Sequence, residues 1–431
     1  MITIKKLNKD LSEGVYDNKL SYLYCRKPEQ VEPFRERIRH VADGYAQTFG
    51  KGGCDEIAIY SAPGRTEIGG NHTDHQRGKV LTASVDLDAL ACAAPNGTNM
   101  VNICSEGYGM VSIDCTQFSP DKKEENSTAA LIRGILARIA EMGYTIGGFD
   151  AYVISDVPGG SGLSSSACFE VLIGTAINGL FCGNAISMVE IAKIGQYAEN
   201  VYFGKPSGLL DQMGCALGGI VAIDFKDREN PVCHVVDFNF ASAGYALCMV
   251  DSGADHADLT DDYAAVPEEM GAVARLLGKE VLSEVSEACF YAAIPHIREN
   301  VGDRAVLRAV HYYNDCVRVE KQVAALENGD FDTFLAVVNE SGKSSFMYLQ
   351  NITTYRDTKD QPVAVALAAA EHYLKGCGAY RVHGGGFVGA IQAFVPLEKV
   401  SDFQRAMDDM LGKGACRVAY IRPVGGCTLV E

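Results

Sequence analysis

The chain has 431 residues, 47% of them hydrophobic and 22% charged, with no tryptophan and a formal net charge of −17. That length supports two or three domains with substantial cores. The acidic balance excludes general binding to nucleic acid or to anionic membranes, and still leaves room for a nucleotide held by local donors.

No apolar run reaches the roughly 18 residues of a membrane span. The opening MITIKKLNKD is not followed by a signal-peptide core, so a cytoplasmic protein is expected. Fifteen cysteines are scattered, mostly inside apolar segments, and no CxxC occurs. They read as reduced, small apolar core residues rather than as zinc or thioredoxin-type ligands.

Pro28 to Phe49 carries helical spacing at Val31, Phe34, Ile38, Val41 and Tyr45, and GKGGCDE after it reads as a turn. A GxxxxGK[ST] scan fails there, which argues against a P-loop NTPase. Ile57 to Ala62 reads as a short buried strand, and Val80 to Ala94 as the next one. Between them, APGRTEIGGNHTDHQRGKVL sets two arginines, two histidines and an aspartate among four glycines, on what reads as a loop held by strands. His72 and His75 form a possible metal pair with no third ligand at fixed spacing. Asn71, His72 and Asp74 together offer the donors and acceptors that a polyol needs. The plain alternative is a polar hairpin loop.

Thr128 to Met142 reads as an amphipathic helix capped by Ser127. Then comes the densest stretch. A strand-like run, Phe149 to Ile154, leads through VPGGSGLSSSA into a long apolar run, Cys168 to Phe181. Strand, glycine-rich loop and buried helix place a phosphate on a helix N-terminus, where N–H groups lack intrahelical partners and the dipole favours an anion. The alternative is a turn followed by a serine cap.

Another helix starts after Ser187, with Glu199 on the same stripe as its apolar residues. An inward carboxylate needs a cation, either a basic side chain or a metal, and the residues alone leave both open. In KPSGLLDQMGCALGG, Asp211 sits among apolar residues, a setting that suits a general base and equally a helix cap. From Ile220 onward, strands 220–225, 232–238 and 245–251 precede long helices (258–277, 304–328, 330–348 and 361–375), and strands 380–383, a run to 395 and, after a further helix, 417–421 follow. This half reads as an α+β domain with a mostly antiparallel sheet. A glycine run, Gly384-Gly385-Gly386, lies between two of its strands, where backbone can come close to a phosphate. No internal repeat or low-complexity linker is visible.

Taken together, these stretches resemble the GHMP small-molecule kinases, and among them the galactokinases. PGRTEIGGNHTDHQRG resembles the signature PGRxNxIGEHTDY, VPGGSGLSSSA the phosphate loop, and HGGGFVGA the third motif GGGFGG. SGLLDQ and VDSGADHADLTDDYAAVPEE sit where that family has its base and a sugar-facing tyrosine. Residues 1–55 fall mostly outside the resemblance. It implies a two-domain α+β fold, an α/β N-terminal domain with a mixed sheet (1–228) and an α+β C-terminal domain with an antiparallel sheet (229–431), with the active site between them.

The resemblance also implies ATP-dependent phosphorylation of the anomeric hydroxyl of a hexose, with galactose the first candidate and Mg²⁺ as cofactor. Its partners would be ATP and a small sugar. By the same token Arg65 and Asp211 are the catalytic pair, and Gly159, Gly160, Ser161, Gly162, Leu163, Ser164, Ser165, Ser166 and Ala167 wrap the ATP phosphates. Ser166 and Glu199 hold Mg²⁺, and Asn71, His72, Asp74, Gly208 and Tyr263 hold the sugar. Departures fall at Glu67 for asparagine, Asn71 for a sugar-contacting glutamate, His75 for tyrosine, Val388 for glycine, and VPEE for a basic pair. An amide at 71 loses a charge-assisted bond and gains a donor suited to an N-acetyl carbonyl. Galactose is therefore not expected to lead by a wide margin, and Asn71→Glu is expected to favour it. Alternatives are a GHMP kinase for another sugar or an N-acetylhexosamine, and a catalytically silent sugar sensor.

Overall fold

The computed structural model describes residues 1–50, 56–159, 162–253 and 259–431, so the expected turn over 50–56 lies largely outside the described residues. Two sheets carry the chain. The first runs Ile2–Thr3, Glu56–Gly69, Lys79–Pro95, Phe149–Ser155, Met100–Ser105, Gly109–Asp114. Its pairs are antiparallel except Met100–Ser105 beside Phe149–Ser155, which makes it a mixed sheet.

Lys79–Pro95 is long enough to serve two neighbours. Its second half pairs with Phe149–Ser155, and its first half is left open to Ile220–Asp224, which in turn pairs with Val232–Val236. Val232–Val236 lies past the expected boundary at 228 and still belongs to the first sheet. The chain's end returns there too, as Cys427–Val430 pairs with Glu56–Gly69.

Alternation along the strands divides the first sheet's two faces. Ala58, Tyr60, Ala91 and Ala93 join the core beneath the helices Thr128–Glu141, Ser165–Phe181, Met188–Tyr197 and Leu210–Leu217. Ile57, Ile59, Leu90 and Cys92 pack on the other side against three N-terminal helices, Ile4–Ser12, Asp17–Tyr24 and Glu32–Phe49. Only the last of those three was foreseen. Ser127 caps Thr128–Glu141 as expected, accepting from the Ala130 N–H.

The second sheet, Ala379–Val382, Ala390–Pro396, Tyr245–Asp251 and Cys416–Ala419, is antiparallel throughout. Ile391, Ala393 and Val395 face Pro362–Leu374 and Val400–Leu411, while Phe394 turns to the opposite side and meets Phe334 of Phe331–Ser344. A third core joins Thr260–Leu276, Glu287–Asn300 and Asp303–Glu327 to Phe387. Helices packed on a mixed and on an antiparallel sheet make the α+β architecture expected. Among the described residues no helix is long and apolar enough to cross a membrane, and the described cysteines are free.

Candidate functional site

Arg65 and Glu67 stand on a strand, not on the loop expected from 62 to 81. Glu56–Gly69 keeps its pairing through Pro63 and Gly64 by shifting register there and again after Glu67. Such irregularities re-aim side chains next to functional sites. The connection shrinks to residues 70–78, with His72 in the left-handed region at φ 60°.

The glycine-rich stretch crosses over this strand. Gly160 and Ser161 lie outside the described residues. Gly162 and Ser164 both adopt positive φ, 77° and 57°, and Ser165–Phe181 begins directly afterwards. Ser165, Ser166 and Ala167 thus occupy its first turn, where backbone N–H groups point out of the helix. The Arg65 N–H donates to the Leu163 carbonyl at 3.2 Å, and the Arg65 guanidinium donates to the Gly162 carbonyl. Loop and strand are stitched together.

Asp211 enters from the first turn of Leu210–Leu217 and completes the link. Arg65 Nε and Nη2 lie 2.8 and 2.6 Å from its Oδ1, and the Ser164 hydroxyl donates to its Oδ2 at 2.5 Å. Burial alone would raise the Asp211 carboxyl, but Arg65, Ser164 and Lys205 outweigh it and hold it below the usual range. Arg65 itself is buried and stays charged.

Glu199 lies behind this group, on a π-helical turn, Ala198–Phe203, that continues Met188–Tyr197. Its Oε1 meets Ser166 Oγ at 3.4 Å and Lys205 Nζ at 3.3 Å, and its Oε2 accepts from Gln212 Nε2 at 3.0 Å. The same Gln212 nitrogen donates to Glu170, whose carboxyl burial and then Glu199 push well above the usual range. Both readings of Glu199 are thus present at once: a cation in Lys205, and a hydroxyl–carboxylate pair open to a metal. The donor set fits Mg²⁺, a hard cation that takes a few protein oxygens and completes its shell with phosphate and water. Among the described residues no cluster of three or more His, Cys, Asp or Glu side chains forms a site of its own, so His72 and His75 remain a stacked pair, ring centroids 5.9 Å apart.

On the other side of Asp211, the Asp74 carboxylate packs so closely on Gly208 that a Cβ there would stand 1.8 Å from Oδ2. His72 Nε2 donates to the Gly385 carbonyl at 2.9 Å, and burial followed by His75 lowers its pKa to about 3, so the ring is neutral. The Tyr263 hydroxyl donates to the Gly386 carbonyl at 2.8 Å. The glycine run therefore joins both sugar-side candidates, and only glycine fits at 385, where a Cβ would approach Tyr263 to 2.5 Å.

Asn71 is placed differently from the rest. It is fully buried, its amide nitrogen donates to Glu67 and to the Gly384 carbonyl, and its Oδ1 accepts from Asn351 at 2.8 Å and Ser345 at 3.3 Å. Every polar atom of the side chain is used within the protein, so it offers no donor to an N-acetyl group. Residues that sequence reasoning missed are Lys205, Gln212, Glu170, Arg381 and His383. A basic residue six positions before Asp211, in KPSG, was the one local cue to Lys205. The others act through contacts that no local pattern encodes.

Residues 130–219 match the GHMP kinases N terminal domain, and residues 43–95 match the galactokinase galactose-binding signature. The chain is 29% identical over 382 residues to the galactokinase of Streptomyces coelicolor, covering 87% of this chain and 94% of that one. It is also 29% identical over 396 residues to the galactokinase of Homo sapiens, covering 90% and 94%. A crystal structure of Lactococcus lactis galactokinase complexed with galactose superposes with a TM-score of 0.77 at 24% identity, over 89% of this chain and 98% of that one. A mevalonate kinase shares the fold at a TM-score of 0.56 and 15% identity.

Proposed function

We propose that this chain, which matches the GHMP kinases N terminal domain and resembles the galactokinases, is a kinase that transfers the terminal phosphoryl group of ATP to the anomeric hydroxyl of galactose, giving the sugar 1-phosphate and ADP. The observation that carries this reading is the Arg65–Asp211–Ser164 contact. It brings the sugar-side signature, the phosphate loop and the candidate base to one point.

In this reading the nucleotide phosphates lie over the first turn of Ser165–Phe181, and the sugar lies against Asp74, His72 and Tyr263. Ser166 and Glu199 hold Mg²⁺, which when bound offsets negative charge on the phosphates. Arg65 does the same from the protein side, at the end of the loop next to Asp211. Aligning the two reactants, together with this electrostatic stabilisation, supplies most of the rate.

Asp211 accepts the hydroxyl proton. A carboxylate held below its usual pKa is a weak base toward an intact sugar hydroxyl, and becomes effective only once the attacking oxygen has begun to bond to phosphorus and grown acidic. Proton transfer therefore accompanies or follows phosphoryl transfer. Lys205, beside Glu199, steadies the same negative cluster.

The test is ADP release from Mg-ATP measured against galactose, N-acetylgalactosamine, glucose and a no-sugar control. Sugar-dependent turnover is expected, with galactose giving the highest kcat/KM. Turnover that is absent with every sugar, alongside tight galactose binding, would replace the kinase by a sensor. A clear preference for N-acetylgalactosamine would change the substrate.

A further inference from the structure

His383 follows the strand Ala379–Val382 and opens the HGGG run, with its side chain buried. The Glu67 N–H donates to its Nε2 at 3.0 Å, and the Thr66 hydroxyl lies 3.1 Å from the same atom. A backbone N–H can only donate, so Nε2 holds the lone pair and the neutral ring carries its proton on Nδ1. Burial, and after it Arg65, keeps the ring neutral.

Nδ1 has no hydrogen-bond partner among the described residues. It faces the phosphate loop, since a Cβ built on Gly162 would stand 2.8 Å from it. The Gly162 carbonyl is engaged by Arg65, and a Cβ built on Gly384, next in the chain, would stand 3.8 Å from that carbonyl and 3.9 Å from Arg65 Nη2. A buried, oriented N–H without an acceptor is costly, and buried donors of this kind call for an explanation.

We propose that His383 is a nucleotide-binding residue whose Nδ1–H donates to an oxygen of the terminal phosphoryl group of a nucleoside triphosphate, beside Arg65, its ring aimed from behind by the Glu67 N–H. The inference rests on the kinase reading above. The terminal group is chosen because Arg65 ties this end of the loop to Asp211, on the acceptor's side. A ring that merely filled space would need neither the fixed tautomer nor a donor left without an acceptor.

Two substitutions separate these cases. His383→Gln keeps an acceptor in the place of Nε2 and loses the Nδ1 donor, while His383→Asn keeps a donor in the place of Nδ1. Calorimetric titration of each protein with Mg²⁺ and either the imido analogue of ATP or ADP, without sugar, reads the contact directly. His383→Gln is expected to bind the triphosphate about tenfold more weakly or worse with ADP affinity unchanged, and His383→Asn to bind both nearly as the parent does. Equal weakening for triphosphate and ADP, equal loss in both variants, or no loss in His383→Gln overturns the proposal. Failure of the unaltered protein to bind either nucleotide overturns the kinase reading itself.

Discussion

The side-chain amide of Asn71 donates to both carboxylate oxygens of Glu67, at 3.0 and 3.3 Å, while Arg381 meets the nearer one at 2.6 Å. In the galactokinase signature PGRxNxIGEH, asparagine stands at the position of Glu67 and glutamate at that of Asn71. Because the two residues touch, these departures are one exchange. Here that contact joins the amide of Asn71 to the carboxylate of Glu67.

The exchange predicts strong coupling. Asn71→Glu alone sets two carboxylates against each other in a fully buried place, and Glu67→Asn alone strips Arg381 of its counter-charge. Each should cost about 2–4 kcal/mol in urea unfolding, and the double exchange should recover at least about 1 kcal/mol of the sum. Asn71→Glu should also lower, not raise, kcat/KM for galactose, against the expectation drawn from the signature alone. Additive losses would mean the two sites do not communicate.

Asp211→Asn should reduce turnover by about two orders of magnitude or more and leave nucleotide affinity nearly intact. Because Arg65 and Ser164 hold the Asp211 carboxyl low, its basic form persists above that lowered pKa and is lost only as pH falls through it. Ser164→Ala removes one of those donors and should move the acid limb of the pH–rate profile upward. An Asp211→Asn enzyme with near-parental turnover would sink the base assignment.

Glu199→Gln and Ser166→Ala should each raise the Mg²⁺ concentration needed for half-maximal rate by about tenfold or more. Lys205 is the control, as its ammonium meets Glu199 but cannot itself bind a cation. Lys205→Met should leave the Mg²⁺ requirement unchanged or lower it. If Lys205→Met and Glu199→Gln behaved alike, the ion pair and not the metal would account for Glu199.

Asp88, fully buried, accepts from Tyr24 at 2.6 Å, Ser61 at 2.5 Å, Arg37 at 2.6 Å and Arg422 at 2.8 Å. Burial would raise its carboxyl, but the two arginines outweigh that and hold it low. The stability it contributes is present above the unfolded carboxylate pKa and lost as pH falls through the folded value. Asp88→Asn should cost about 3–5 kcal/mol at neutral pH, a gap that melts at falling pH should close. Arg37 also reaches Asp156 at 2.9 Å, just before the phosphate loop. Arg37→Met should thus weaken binding of the nucleotide proposed above, read by the same calorimetric titration.

What was legible in the chain beforehand is what short-range chemistry writes into it. Glycines and serines marked a loop between a strand and an apolar helix, helical spacing marked Glu32–Phe49 and Asp303–Glu327, and the order of the motifs pointed to the GHMP kinases. Local pattern placed Arg65 on a loop, because a proline and a glycine look like a break. Pairing with Lys79–Pro95 carries the strand through them.

Packing decided the rest. Whether Asn71 faces a sugar or the interior depends on Ser345 and Asn351, more than 270 residues away in sequence. Whether His383 has an acceptor depends on where Gly162 lies. Ile220–Asp224 joins the first sheet because the Lys79–Pro95 edge is unfilled there. Alternation and glycine content say which residue types suit a strand or a turn, but a hydrogen bond forms only between groups that the completed fold brings together, and that proximity has no local signature.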